Sequence, residues 1–456
     1  MSSILTNTWA DDSVFYHLFP LGCLDAPARN SFEGPSANRL SSLTPWIDYL
    51  EDFGANALLL GPVFESSAHG YDIADYFRVD RRLGDDAALA AISRELHRRG
   101  IRLVLDAVFN HTGRDFWAFR DIREKGRASA YCDWYHLDFT GRSPYGEPFE
   151  YKGWNGNYDL VKLNLANPAV REHLFNAVSW WIEQFQVDGL RLDAADALDF
   201  DFQRALAAHC RAIRPDFWLM GEVVHGDYRR WAYPAGLSST TNYVAYKGLW
   251  SSHNDQNYFE LSYTLNHQFG PEGIYRGLAL YTFADNHDVD RVASILKNPA
   301  HLYPLYVLLM TMPGVPSIYY GSEWGIEGRK GANTDASLRP ALDPATLPQH
   351  APHPELHGLI KSLIAIRRRF AALRHGDYAQ LHVAREQFAF IRRDPASAIV
   401  VAVNAADRPA EIKLHIPDIA NGQLIDALND SEAFSIINGR CALPVPPCRG
   451  RILEVR

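Results

Sequence analysis

Short apolar runs alternate with amphipathic stretches through the first two-thirds of this chain, and nothing else in the sequence limits its fold so strongly. The runs Val14–Phe19, Ala57–Val63, Arg102–Phe109, Val187–Leu192, Phe217–Val223, Leu278–Phe283 and Val315–Tyr320 predict buried strands, and Thr241–Ala245 supplies an eighth. Between them apolar positions step by three and four. Val170, Leu174, Ala177, Trp181, Ile182 and Phe185 form one series; Leu356, Ile360, Leu363, Ile364, Arg367 and Phe370 form another. Strands that alternate with helices pair in parallel through βαβ crossovers. Eight such units predict an α/β fold, a (β/α)8 TIM barrel with insertions rather than an open sheet.

Two regions break the alternation. Residues 112–164 are rich in Tyr, Trp, Gly, Asp and Arg without a clear period, and so long an irregular stretch in a compact domain is usually functional. It is read as a lobe inserted after the third strand. Beyond Arg374 the helical period stops. Phe388–Arg392, Ala398–Asn404, Glu411–Ile416 and Arg451–Val455 predict short strands of a C-terminal β-sandwich over 375–456. The barrel is therefore assigned residues 1–111 and 165–374. The Pro- and His-bearing segment Pro340–Pro354 reads as a surface connection.

A formal charge of −9 argues against a nucleic-acid partner, because phosphate binding needs dense Lys and Arg. The longest apolar stretch, around Leu302 to Tyr320, is broken by Pro304, Pro313 and Pro316, so no membrane partner is expected. The opening MSSILTNTWADDSVFYH has neither a basic start nor an apolar run of signal-peptide length. Five scattered cysteines without a CxxC pair fit reduced thiols better than a disulfide framework or a zinc site. A cytoplasmic protein is expected.

In such a barrel, catalytic groups stand at the C-terminal ends of strands. Four predicted strands end in carboxylates: DAVFNH (Asp106–His111), GLRLDAADA (Gly189–Ala197), LMGEV (Leu219–Val223) and FADNHD (Phe283–Asp288). A lone Asp after a strand is most often a helix cap, but four on one barrel face point to a site. Arg191 and Asp193 are two apart, so they share a side of their strand. The guanidinium is expected to hold Asp193 ionised, as a nucleophile requires. Glu222 follows an almost uncharged strand, and apolar walls would keep its carboxyl neutral for proton donation. Two carboxylates in opposite environments are the equipment of glycoside hydrolysis. HExxH, GxSxG, GxGxxG and a phosphate-binding glycine loop are all missing from the sequence.

These segments resemble the conserved regions of the α-amylase family, glycoside hydrolase family 13. HGYDIADYF (His69–Phe77), LVKLNLANPAVREHL (Leu160–Leu174) and PGVPSIYYGSEWG (Pro313–Gly325) extend the likeness, in order, along the chain. Among its subgroups the chain is most similar to the cyclomaltodextrinase, neopullulanase and maltogenic amylase enzymes, on HGYDIADYF, LVKLN, GEVVH and TNYVAYKGL. The resemblance implies a retaining α-glycoside hydrolase acting on α-1,4 bonds of small linear or cyclic gluco-oligosaccharides. It implies Asp193 as nucleophile, Glu222 as acid/base and Asp288 as the third carboxylate, gripping the sugar 2- and 3-hydroxyls. Arg191 would orient Asp193, Tyr71 would stack under the sugar with Asp72 supporting the pocket, and His111 and His287 would hydrogen-bond the ring. His225, three after Glu222, is a further substrate-contact candidate, and Asp106 and Asn110 are read as scaffold. Double displacement would place the two acids about 5–5.5 Å apart.

Departures from the family pattern matter too. Asp196 and Ala197 stand where the family often has Lys-His, which opens the question of acceptor specificity. No cofactor is expected, and calcium is disfavoured because Asn110 alone cannot satisfy an ion taking six to eight oxygens. The extra N-terminal β-domain of the subgroup is not expected before the first strand, nor a dimer built through it; a homodimer by another surface stays open. The rival readings are a transglycosylase or sucrose/maltose-type isomerase sharing every catalytic residue, and a non-catalytic carbohydrate-binding protein. All three carboxylates are kept, which argues against the last. Trp134, Tyr135, Trp154, Tyr158 and Trp324 are candidate sugar platforms, while His17 and His69 read as structural.

Overall fold

The computed structural model describes residues 8–332 and 334–456. The first seven residues, which open the segment read for an export signal and the barrel range 1–111, lie outside the described residues. Eight strands build the barrel: β1 Phe15–Leu18, β2 Ala57–Leu60, β3 Arg102–Ala107, β4 Gly189–Leu192, β5 Trp218–Gly221, β6 Ser239–Thr240, β7 Tyr281–Phe283 and β8 Val315–Tyr319. They hydrogen-bond in parallel in the order β6-β5-β4-β3-β2-β1-β8-β7, and one parallel bridge, Thr241 to Tyr281, joins the two ends. The eighth strand is displaced from its expected place. Thr241–Ala245 lies mostly in the helix Tyr243–Asn254, and the strand is the pair just before it. Asn242 decides this, because its side chain caps the helix by accepting from the Ala245 N–H at 3.1 Å.

Period-two alternation sorts the strand residues into two cores. One side faces inward, where Phe15, Ala57, Leu59, Val104, Trp218, Met220, Tyr281, Phe283 and Val315 fill the barrel. Phe15 is the hub, with ring centroids 5.0 Å from Trp218 and 5.5 Å from Tyr281. The other side meets the helices; Pro168–Phe185, for example, buries Val170, Leu174, Ala177, Trp181, Ile182 and Phe185. Asn167 starts that helix by accepting from the Ala169 N–H, and Pro168 occupies its first turn.

After β3 the chain leaves the barrel. His111–Gly113 pairs antiparallel with Asn157–Lys162, setting His111 opposite Lys162, and the chain between them carries the helix Trp117–Lys125. The C-terminal strands are β9 Asp377–Val383, β10 Gln387–Arg393, β11 Ala398–Asn404, β12 Ala410–His415, β13 Asn421–Asp426, β14 Ala433–Ile437, β15 Arg440–Val445 and β16 Arg449–Val455. They form one continuous antiparallel sheet, β9-β10-β11-β16-β13-β14-β15-β12. The sheet bends until its two ends, β9 and β12, pack against each other, so the layered core expected of a sandwich arises from a single sheet. This unit rests on the wholly buried helix Leu302–Thr311, where Gly450 matters: a Cβ there would meet Val307 at 2.9 Å. Pro340–Pro354 is more than a surface connection, since it carries the short helix Leu347–His350 with Leu347 buried. Among the described residues no helix is long and apolar enough to cross a membrane.

Phe15→Ala should leave a cavity at the centre of the barrel. The expected cost is about 3–5 kcal/mol of stability, read as a fall in the urea midpoint.

Candidate active site

The ladder places the acids. Arg191 on β4 stands level with Asp106 on β3, both inward and both buried. One residue past β4, the Asp193 N–H donates to Ala107 O at 3.0 Å; one residue past β5, the Glu222 N–H donates to Leu192 O at 2.9 Å. Both carboxylates therefore leave the last rung on the inward side.

Arg191 holds three carboxylates. Its Nη1 donates to Asp106 (2.7 and 2.8 Å) and to Asp193 Oδ1 (3.0 Å), while Nη2 lies 2.8 Å from Glu222 Oε2. A guanidinium is a rigid planar fork, so Asp193 and Glu222 stand side by side on adjacent prongs. Glu222 Oε2 also accepts from the Ala194 N–H at 3.0 Å. Ala194 reaches it in a left-handed conformation, φ 45° and ψ 44°, which is costly for a residue with a Cβ. The apolar setting expected for Glu222 is thus not what surrounds it: Oε2 accepts from the Ala194 N–H and faces the Arg191 guanidinium, and the Tyr243 hydroxyl donates to Oε1 at 3.4 Å. Asn286 Nδ2 in turn donates to the Tyr243 hydroxyl at 3.1 Å.

Asp288 enters from beyond β7. Its Oδ2 lies 3.0 Å from His287 Nε2 and its Oδ1 accepts from Arg339 Nη2 at 3.1 Å. Arg339 also donates to the His287 carbonyl and lies over the Phe19 ring at 4.3 Å. The Tyr71 hydroxyl bonds Asp106 Oδ2 at 2.9 Å and touches His287 Nε2, and the Tyr71 ring stacks on the His287 ring at 5.5 Å and 13°. Three carboxylates (Asp106, Asp193 and Glu222) thus meet Arg191, and the fourth, Asp288, meets Arg339 at the edge.

Burial first, then the charges of Glu222, Asp106 and Asp288, push Asp193 well above the usual carboxylate range against the pull of Arg191. The sequence weighed Arg191 alone; burial, with the three other anions added to it, outweighs that pull. Burial opposes ionisation of Asp288 too, but His287 and Arg339 prevail and hold it below the usual range. Burial pushes His111 down to about 3 and His17 well below the usual histidine range, so both are neutral.

Of the other candidates, Asp72 is buried near His69 (3.7 Å), and burial raises its carboxyl. His111 is buried with its ring 5.8 Å from Trp154 and its Nε2 without a partner among the described residues. His225 is exposed at the rim and is not among the partners of the acids, and Asp196 is exposed beyond Ala195. Trp154 alone of the named aromatics abuts a candidate site residue. Trp134 and Tyr135 are buried in lobe packing, Tyr158 packs on Tyr151, and Trp324 stacks on His357 at 4.3 Å. Sequence reasoning missed Tyr243, Asn286 and Arg339. The first two sit inside TNYVAYKGL and FADNHD; Arg339 lies in a loop with no motif to mark it.

The family model for the alpha amylase catalytic domain matches residues 33–351. A cyclomaltodextrinase of Geobacillus thermopakistaniensis is 30% identical over 470 residues, covering 96% of this chain and 76% of that protein. Neopullulanase 2 of Thermoactinomyces vulgaris is 31% identical over 480 residues, covering 98% and 78%. The solved structure of the cyclic alpha-maltosyl-(1→6)-maltose hydrolase from Arthrobacter globiformis, in complex with cyclic alpha-maltosyl-(1→6)-maltose, superposes with a TM-score of 0.83. It is 26% identical, and the match covers 99% of this chain and all of that one.

A carboxylate whose folded pKa is raised contributes a stability that is lost as pH rises through that pKa. Asp193→Asn escapes that loss. It should abolish turnover yet raise the melting temperature, more at about pH 8 than at about pH 5, as calorimetry at the two pH values would read.

Proposed function

This chain belongs to the alpha-amylase family and is a glycoside hydrolase; from that premise we propose a retaining enzyme that cleaves α-1,4-glucosidic bonds in small linear or cyclic gluco-oligosaccharides. The observation that carries the reading is the Arg191 fork, which bonds Asp193 on one prong and Glu222 on the other. Two acids held by one guanidinium fit the closer spacing of a retaining mechanism better than the wider one that an inverting mechanism needs for its water. The names of the relatives, a cyclomaltodextrinase, a neopullulanase and a hydrolase of a cyclic maltosyl-maltose, support the substrate class.

Asp193 is the nucleophile. Glu222 is the acid/base; its Oε2 accepts from the Ala194 N–H and faces the Arg191 guanidinium, which leaves Oε1, beside the Tyr243 hydroxyl, as the oxygen that hands over the proton. Glu222 protonates the glycosidic oxygen while Asp193 attacks the anomeric carbon, and Glu222 then takes a proton from the water that releases the sugar. Asp288, a third exposed, accepts from the 2- and 3-hydroxyls. Tyr71 lies under the ring with Asp72 behind it, and His111 and His287 meet its hydroxyls; the unpartnered His111 Nε2 supports the first of these contacts. His225, exposed three residues after Glu222, is a further substrate contact. The division of labour follows the sequence reading: barrel 1–111 and 165–374 for the chemistry, lobe 112–164 for the wall carrying Trp154, and 375–456 as buttress.

The reaction is proposed to need no metal. Lys162 Nζ donates to Asn110 Oδ1 at 3.1 Å, so an ammonium already occupies the position of any cation bound to Asn110. Among the described residues no group of three or more His, Cys, Asp or Glu could hold a metal. We place the enzyme in the cytoplasm, supported by five unpaired cysteines, four of them buried.

Glu222→Gln should lower turnover of a nitrophenyl maltoside by about 10²–10⁴-fold, and early NMR spectra of the unmodified enzyme should show the α-anomer first. Undiminished turnover, or the β-anomer first, overturns the reading. Chromatography after maltotriose or cyclodextrin digestion should show hydrolysis products over longer transfer products. Dialysis against EDTA should leave both turnover and melting temperature unchanged, and added calcium should raise neither.

A further inference from the structure

A second cavity lies at the opposite end of the barrel from the acids. It measures about 760 Å³ and opens where the residues leading into β6, β7 and β8 meet the first strands of the C-terminal sheet. That volume is within the range of small-molecule sites. Phe269, Leu278 and Pro313 make part of it apolar, but much of its lining is arginine.

Most of these arginines are neutralised. Arg204 pairs with Asp201 at 3.1 Å, Arg276 with Asp377 at 2.9 Å and Arg374 with Asp12 at 2.6 Å. Arg211 and Arg392 have no carboxylate partner among the described residues. Arg211 donates to the Ser238 hydroxyl at 3.2 Å, which leaves most of its fork unused. Arg392 is 1% exposed and spends its donors on the carbonyls of Thr311, Leu373 and Gly376. Those bonds tie the C-terminal sheet to the barrel, which accounts for Arg392 structurally. Carbonyl oxygens satisfy donors, however, without cancelling a net charge. Burial pushes Arg392 down to about 9, so it remains a cation at neutral pH. Asp11, the lining carboxylate without a cationic partner, is itself pushed up by burial, which weakens it as a counter-ion. Tyr378 lines the same cavity, is 3% exposed, and its hydroxyl has no partner among the described residues.

A roomy cavity with excess buried positive charge, an under-used guanidinium fork and an orphaned hydroxyl is built for an oxyanion. We propose that it binds a small organic anion, a phosphate monoester or carboxylate, with Arg211 and the Tyr378 hydroxyl gripping the anionic head and the apolar lining holding its body. Being remote from the acids, this site stands independently of the glycosidase reading.

The test is calorimetry and thermal denaturation of the full chain with glucose 6-phosphate, inorganic phosphate and citrate, against chloride at equal ionic strength. At least one oxyanion should raise the melting temperature by roughly 2–4 °C in a concentration-dependent way, an effect chloride does not reproduce. Arg211→Gln or Tyr378→Phe should abolish the shift while leaving maltotriose turnover unchanged. Should Arg211→Gln not fold, Tyr378→Phe decides, since it removes one oxygen from a buried ring. No shift with any of the three oxyanions, or a shift that survives in every folded variant, overturns the proposal.

Discussion

The fork of Arg191 is the contact on which the site depends. It bonds Asp106 from the adjacent strand, Asp193 two residues along its own, and Glu222 from the strand beyond. Removing one member of a buried ion pair typically costs 3–5 kcal/mol, because the partner charge is stranded in a poor solvent, and here a single deletion would strand three. Barrel closure and charge compensation are therefore one problem. β3, β4 and β5 must keep their register for the three carboxylates to converge, and the convergence rewards that register. With the Tyr71 hydroxyl and Arg191 as partners, Asp106 is a satisfied buried carboxylate.

Backbone strain at Ala194 belongs to the same arrangement. A non-glycine residue in the left-handed region costs on the order of 1 kcal/mol, and it persists where the surroundings over-determine it. Here the turn redirects the chain immediately after Asp193 and aims an N–H at Glu222. Asp193 and Glu222 are thus joined twice, once through Arg191 and once through the backbone following Asp193. Two independent tethers fix a distance better than one, and the proposed double displacement is sensitive to that distance.

What the sequence made legible divides along physical lines. Strand-ending carboxylates announced themselves because burial on both faces leaves apolar runs, and a charge closing such a run is conspicuous. The sixth strand was misplaced by two residues because Tyr243 to Ala245 is apolar enough for a short strand, while the deciding interaction, the Asn242 cap, concerns a single side chain. The C-terminal core was anticipated but not its wiring, since alternation along each strand cannot say that one bent sheet supplies both layers. Arg339 was invisible for a different reason. It reaches Asp288 from a loop fifty-one residues away, and no local pattern encodes that meeting.

The environments of the two acids were harder still to read, and the reason is instructive. Local sequence shows Arg191 beside Asp193 and uncharged residues before Glu222, which suggests one ionised and one neutral carboxyl. Folding changes the neighbours: Arg191 is shared among three anions, and Asp193 faces Glu222, Asp106 and Asp288 together. In the resting site that negative charge is repulsive, and it adds to burial, the largest cause, in pushing Asp193 up. It is also the field that an oxocarbenium-like transition state would encounter, and a preorganised negative pocket stabilises developing positive charge without having to reorganise. The repulsion that weakens the empty site is therefore the interaction that a cationic sugar would convert into transition-state binding. A barrel that relieved it would be more stable and less able to carry out the chemistry.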